Sequence, residues 1–272
     1  MSRLFVPAAL VCTLVAASCS SGSGPSGPTP NPPRISRTRF LAFGDSFTAG
    51  EVTNPTGSQL GVGSAEWGVG SAGEGDSLTT PHPPLPTSQG IHKLILVPTA
   101  SYPPQLQSRL QTAYSSQAAS ITVINSGEPS ERILDGNQRF PGVFDANHPE
   151  VVLLMEGANG LPQVGPDISA GIMRIMVQKA KDGGARVYVG SMIPQVAGRP
   201  RATTPVGELL NFNNTLQIMA TQESVTYVDL YNAMLPDAAT LIGSDGLHPT
   251  EAGYRRIADL FFAAISRELD VR

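Results

Sequence analysis

Cysteine is almost absent from this chain of 272 residues: the only two, Cys12 and Cys19, stand near the N-terminus. The chain beyond them can form no internal disulfide, so a domain there must rely on its apolar core. Charge is sparse too, at 15% of residues and a net −4, and Lys and Arg gather nowhere into a cluster. A nucleic-acid surface wants a basic stripe, so no nucleic-acid partner is expected. No apolar run reaches the roughly 20 residues that a membrane-spanning helix needs. Internal repeats are also missing, so a solenoid or propeller is not in view.

What is present begins with an address. Arg3 supplies a small positive region, Leu4 to Ala17 an apolar run, and Ala16-Ala17-Ser18 a small-residue approach to Cys19. This is similar to a bacterial lipoprotein signal, which implies removal of residues 1–18 and lipidation of Cys19. The chain would then be exported and held to the cell envelope by its lipid alone. Ser20 and Ser21 in place of an acidic residue favour the outer membrane, and the outer membrane or a periplasmic face is the expected location. An ordinary cleaved signal and a secreted product is the alternative. Residues 19–36 are Ser, Gly, Pro and Asn with almost nothing to bury, a flexible tether of roughly 20–25 Å reach. The folded domain is expected over 37–272.

Regular alternation organises that domain. Arg39-Phe40-Leu41-Ala42-Phe43 runs into Gly44-Asp45-Ser46, as a buried strand ending in a turn that carries a hydroxyl. Ile121–Asn125, Val151–Met155, Arg186–Met192 and Thr226–Leu230 read as four more strands. Helical spacing separates them: Leu106, Leu110 and Ala113 after Pro103-Pro104, a weaker stretch over Glu131–Ala146, and Ile168, Ile172, Ile175 and Met176 before Gly183-Gly184. Leu209, Phe212, Leu216 and Met219 mark another helix, and Ile257, Leu260, Phe261, Ala264 and Ile265 the last. Five strands alternating with helices predict an α/β fold with a parallel sheet covered on both faces.

One segment breaks the pattern. Glu51–Ser101 is rich in Gly, Pro, Ser and Thr and carries the single Trp, Trp67. A loop of this length is usually functional or disordered, and it leaves the sheet beside Ser46, as part of a wall or lid. Its Gly68-Val69-Gly70-Ser71-Ala72-Gly73 matches a dinucleotide fingerprint but lacks the strand before and the helix after that such a site needs. Ile91–Val97 reads as a short strand or helix. Trp67 suits a sugar-stacking platform or a lid anchor. His82 and His92 have no metal-ligand spacing, and no metal site is expected.

Chemistry collects at strand exits, where open α/β sheets meet their ligands. A hydroxyl nucleophile needs a base, a carboxylate to orient the base, and donors for the oxyanion. Ser46, His248 and Asp245 supply the first three, and Asn159 with nearby backbone N–H groups the fourth. The three-residue spacing lets one short loop present Asp245 and His248 together. Asp45 reads as the residue that secures the Ser46 turn. Glu128 and Glu131 read as solvated turn carboxylates or substrate contacts, and His148 as structural.

Gly44-Asp45-Ser46-Phe47-Thr48, Asn125-Ser126-Gly127, Gly157-Ala158-Asn159 and Asp245-Gly246-Leu247-His248-Pro249-Thr250 occur in the order and rough spacing of the SGNH (GDSL-type) hydrolases. The resemblance covers about Arg39–Arg272 apart from the insertion. It implies a flavodoxin-like three-layer α/β/α sandwich and a serine esterase or lipase working without a cofactor. Ser46 would be the nucleophile, His248 base and then acid, and Asp245 its partner. The oxyanion hole would be the Ser46 N–H, the Ser130 N–H and the Asn159 amide. Two positions depart from the family pattern: Ser130 replaces a Gly, and Gly160 replaces an Asp. Small-molecule or polysaccharide esters are the expected substrates, short-acyl or O-acetyl carbohydrate esters above lipid esters. An acyltransferase and a non-catalytic surface binding module of the same fold are the other readings.

Overall fold

The computed structural model describes residues 31–53 and 94–271. The leader with Cys12 and Cys19, Trp67, the Gly68–Gly73 run, His82 and His92 lie outside the described residues. Five parallel strands form the central sheet: β1 (Arg39–Gly44), β2 (Thr122–Gly127), β3 (Val151–Met155), β4 (Arg186–Gly190) and β5 (Thr226–Val228). Their spatial order is β2-β1-β3-β4-β5, the flavodoxin order. Phe40 to Phe43 and Val151 to Met155 are fully buried, because helices cover both faces of these strands.

Helices α2 (Tyr102–Ala113) and α6 (Glu251–Leu269) lie together on one face, with Tyr102 stacked on Phe261 at 5.3 Å between ring centroids. On the other are α3 (Ile133–Asn147), α4 (Pro166–Asp182) and α5 (Val206–Gln222). There Phe140 of α3 meets Phe43 of β1 edge-on at 4.9 Å. Helix α2 opens with proline in its first turn, and Gly184 at φ +81 follows the end of α4, as the sequence predicts.

Two expectations need correction. Ile35, assigned to the tether, is buried and pairs with Asp270 in a two-residue antiparallel strand, its N–H donating to Gln117 Oε1 at 2.8 Å. The folded unit therefore begins before residue 37. Helix α4 stands where Ile168, Ile172, Ile175 and Met176 mark it: Ile172 and Met176 are buried with Ala170, Met173, Val177 and Ala180, while Ile168 and Ile175 are exposed. Finally, both ends of the Glu51–Ser101 segment are ordered: Glu51–Thr53 and Leu94–Leu96 pair antiparallel, and Pro98–Ala100 form a 3₁₀ turn.

Register brings the strand exits to one level. Gly44 pairs with Gly127 on one side and Met155 on the other. The Ser46 turn, the Ser126–Ser130 turn and the Gly157–Asn159 turn therefore leave one edge of the sheet side by side.

Candidate active site

Ser46 owes its position to two glycines and an aspartate. A Cβ on Gly44 would lie 1.8 Å from Met155 O, and one on Gly127 would lie 2.0 Å from Ala49 N. Only glycine lets β1 and β2 close beneath the short helix α1 (Ser46–Ala49). Asp45 caps that helix, its Oδ1 accepting the Phe47 N–H at 3.1 Å. Ser46 is the first residue of α1, so its N–H has no acceptor within the helix.

His248 comes from the loop ahead of α6. Its Nε2 is 3.0 Å from Ser46 Oγ and its Nδ1 is 2.6 Å from Asp245 Oδ2, while Asp245 Oδ1 accepts the N–H groups of Leu247 and His248 at 3.0 and 3.1 Å. Ser46 and the Asp245–His248 pair, distant from it in sequence, thus form one buried hydrogen-bonded line. Burial works against charge on both partners, but each stabilises the other. Asp245 is held below the ordinary carboxylate range by the His248 ring and backbone N–H groups. His248 is raised above the ordinary histidine value by bonds to Asp245 and to Glu51. Such a line lets a hydroxyl pass its proton to Nε2.

Asn159 is tied in from two directions. Asp45 Oδ2 accepts the N–H of its neighbour Ala158 at 2.9 Å, and Asn159 Nδ2 donates to Glu131 O at 3.1 Å. The amide keeps a second N–H. Asp45 secures the turn as expected and bridges to the Asn159 block as well. Burial pushes its carboxyl up to about 6, against the N–H groups of Phe47 and Ala158 that hold it down. Ser130 stands at φ +63 and Gly160 at φ +90. The serine thus occupies the left-handed conformation that a glycine adopts freely.

Two acidic residues differ from the sequence reading. Glu131 is no solvated turn carboxylate: it is buried and takes two bonds of 2.6 Å from Arg139. Glu128 is exposed, as is His148, which caps α3 in a left-handed conformation at φ +44. Sequence reasoning missed Glu51, whose Oε2 lies 3.3 Å from His248 Nε2. Its only signal was position, an isolated acid just past the apolar block that carries Ser46.

No curated protein sequence matches the chain. Solved structures do. The fold is similar to that of a lipase/acylhydrolase from Enterococcus faecalis, at TM-score 0.57 and 20% identity over 85% of this chain and 97% of that one. It is also similar to a variant of an acetyl-xylooligosaccharide esterase from Geobacillus (0.58, 18%, 85% and 96%). A carbohydrate acetylesterase from Sinorhizobium meliloti stands alongside them (0.57, 15%, 85% and 99%). Residues 74–256 match the GDSL-like Lipase/Acylhydrolase family, a span that takes in Asn159, Asp245 and His248 and begins after Ser46. With that match over most of its length and the fold of ester hydrolases, this chain belongs to the GDSL-like lipase/acylhydrolase family and is an ester-hydrolysing enzyme.

Proposed function

We propose that the enzyme is an exported serine esterase that works through an acyl-enzyme on Ser46. The observation that carries this is the line from Ser46 Oγ through the His248 ring to Asp245, with separations of 3.0 and 2.6 Å. His248 takes the Ser46 proton on Nε2 as Oγ closes on the ester carbonyl carbon. Asp245 fixes the tautomer by accepting the Nδ1–H. The negative carbonyl oxygen is met by the N–H groups of Ser46 and Ser130 and by the free N–H of the Asn159 amide. His248 then returns the proton to the departing alcohol, and water repeats the cycle to release the acid.

Substrate preference is proposed as short-acyl, with O-acetyl carbohydrate esters ahead of lipid esters. Two proteins of the same fold act on acetylated carbohydrate, and the Glu51–Ser101 segment has few large apolar residues outside Ile91–Val97. The leader reading supports export and a lipid anchor on Cys19. A fluorophosphonate probe should label the wild-type protein and leave Ser46→Ala unlabelled. That variant should lose on the order of 10⁴–10⁶ in turnover with an unchanged urea midpoint. Near-wild-type turnover would remove Ser46 from the chemistry. Acetyl nitrophenyl esters should outrun long-chain ones, and the reverse order would favour the lipid reading.

A further inference from the structure

Glu51 has no part in the proton path above, yet its carboxylate reaches it. Oε2 lies 3.3 Å from His248 Nε2, the nitrogen that faces Ser46 Oγ at 3.0 Å. The backbone behind this side chain is fastened on several sides. Gly50, at φ +101, turns the chain out of α1, and the Tyr254 hydroxyl donates to Glu51 O at 2.7 Å. Glu51 pairs with Leu96, and two residues further on Thr53 packs so close to Gly243 that a Cβ there would meet Thr53 Oγ1 at 2.2 Å. Gly243 in turn donates its N–H to His248 O at 2.7 Å. The strand bearing Glu51 and the loop bearing His248 are thus one packed unit, and the carboxylate is half-buried within it.

A carboxylate beside Nε2 acts oppositely on the two forms of the ring. With Nδ1–H given to Asp245, the neutral ring presents a lone pair at Nε2, which a carboxylate repels. Once Nε2 carries a proton, the same carboxylate attracts it. We propose that Glu51 is a second carboxylate partner of His248, accepting the Nε2–H of the imidazolium formed when Ser46 gives up its proton. The proposal rests on the reading of Ser46 and His248 as nucleophile and base.

In acylation the Oγ–H bond breaks as Nε2–H forms. The Oγ electron pair closes on the carbonyl carbon, and the carbonyl π pair moves to oxygen. The ring then holds one positive charge between Asp245 on Nδ1 and Glu51 on Nε2. That proton must next leave with the alcohol. A contact of 3.3 Å, longer than the 2.6 Å to Asp245, suits a hold that can be released. The other ionisable groups around the ring are Asp45, Arg201, whose Nε is 3.9 Å from Asp245 Oδ2, and Tyr254, bound through the Glu51 backbone. None of these has an atom placed on Nε2. Glu51 makes His248 a stronger base, at the cost of needing a higher pH to keep the ring neutral.

The test is the rate of fluorophosphonate labelling against pH, with kcat/KM for an acetyl nitrophenyl ester beside it. Glu51→Gln keeps the side chain's size and the backbone bond from Tyr254, and its urea midpoint checks folding. The acid limb should move to lower pH by about one pH unit or more, as loss of a neighbouring opposite charge implies. The high-pH plateau should fall severalfold. A plateau that falls with the limb unmoved would make Glu51 a packing residue and overturn the proposal. If wild-type protein is not labelled at any pH, the nucleophile reading fails first and takes this one with it.

Discussion

Two groups of carboxylates flank Ser46, and they are treated in opposite ways. On one side Asp245 and Glu51 face an imidazole that can take up a proton, and Asp245 is held below its ordinary range by bonds from that ring despite its burial. On the other side Asp45, Glu156 and Glu131 crowd together with Arg139. Burial first, then the charges of Asp45 and Glu131, push Glu156 well above the ordinary carboxylate range. Its Oε1 accepts the Gly157 N–H, whereas Oε2 has no partner among the described residues. Asp245 is favoured in its charged form beside the histidine, whereas Glu156 is pushed towards neutrality within the frame. Donors supplied by neighbours, more than depth of burial, decide which.

That contrast predicts that the two sides fail differently. Among these carboxylates, Asp245→Asn should be the most damaging change for turnover. Its Oδ1 can still accept from Leu247 and His248, so the loop survives, but an NH₂ facing Nδ1 favours the wrong tautomer. Turnover should drop on the order of 10⁴-fold, with a urea midpoint close to wild type. Arg139→Met should do the reverse. The guanidinium holds Glu131 through two bonds, donates to Ser126 Oγ and O at 3.0 and 3.1 Å, and lies 4.2 Å from the Phe43 ring centroid. Removing it strands a buried carboxylate, a loss of about 3 kcal/mol in urea unfolding. Adding Glu131→Gln should recover part of that loss. Failure to recover would show that the ring contact and the Ser126 bonds, more than the charge, hold the frame.

The sequence showed what depends on pattern and hid what depends on closure. Val/Ile/Leu runs announced the strands because both faces of the sheet are covered, and Pro103-Pro104 and Gly183-Gly184 bounded helices through backbone chemistry that is local. Asp245 and His248 were visible as a pair because three residues separate them. Glu51 was not, since its reach to His248 depends on pairing with Leu96 across more than forty residues. Glu131 looked like a surface acid because its partner, Arg139, lies eight residues on along a helix with weak periodicity. Ile35 looked like part of a tether because its strand partner, Asp270, stands at the other end of the chain.

The smallest expected effect concerns Ser130, on the still side of the comparison. At φ +63 its backbone pays the steric penalty that glycine avoids, about 1–2 kcal/mol. Ser130→Gly removes that penalty but frees the unfolded chain, which costs about 0.4–1 kcal/mol. The net should be a gain between about 0 and 1.6 kcal/mol, read as a small rise in urea midpoint. The proposed oxyanion donor here is the backbone N–H, which both residues possess, so turnover should change by less than about twofold if Ser130 acts through its backbone alone. A tenfold fall would mean that the hydroxyl itself touches the substrate. It would also mean that this side of the site takes a direct part in the chemistry as well as framing it.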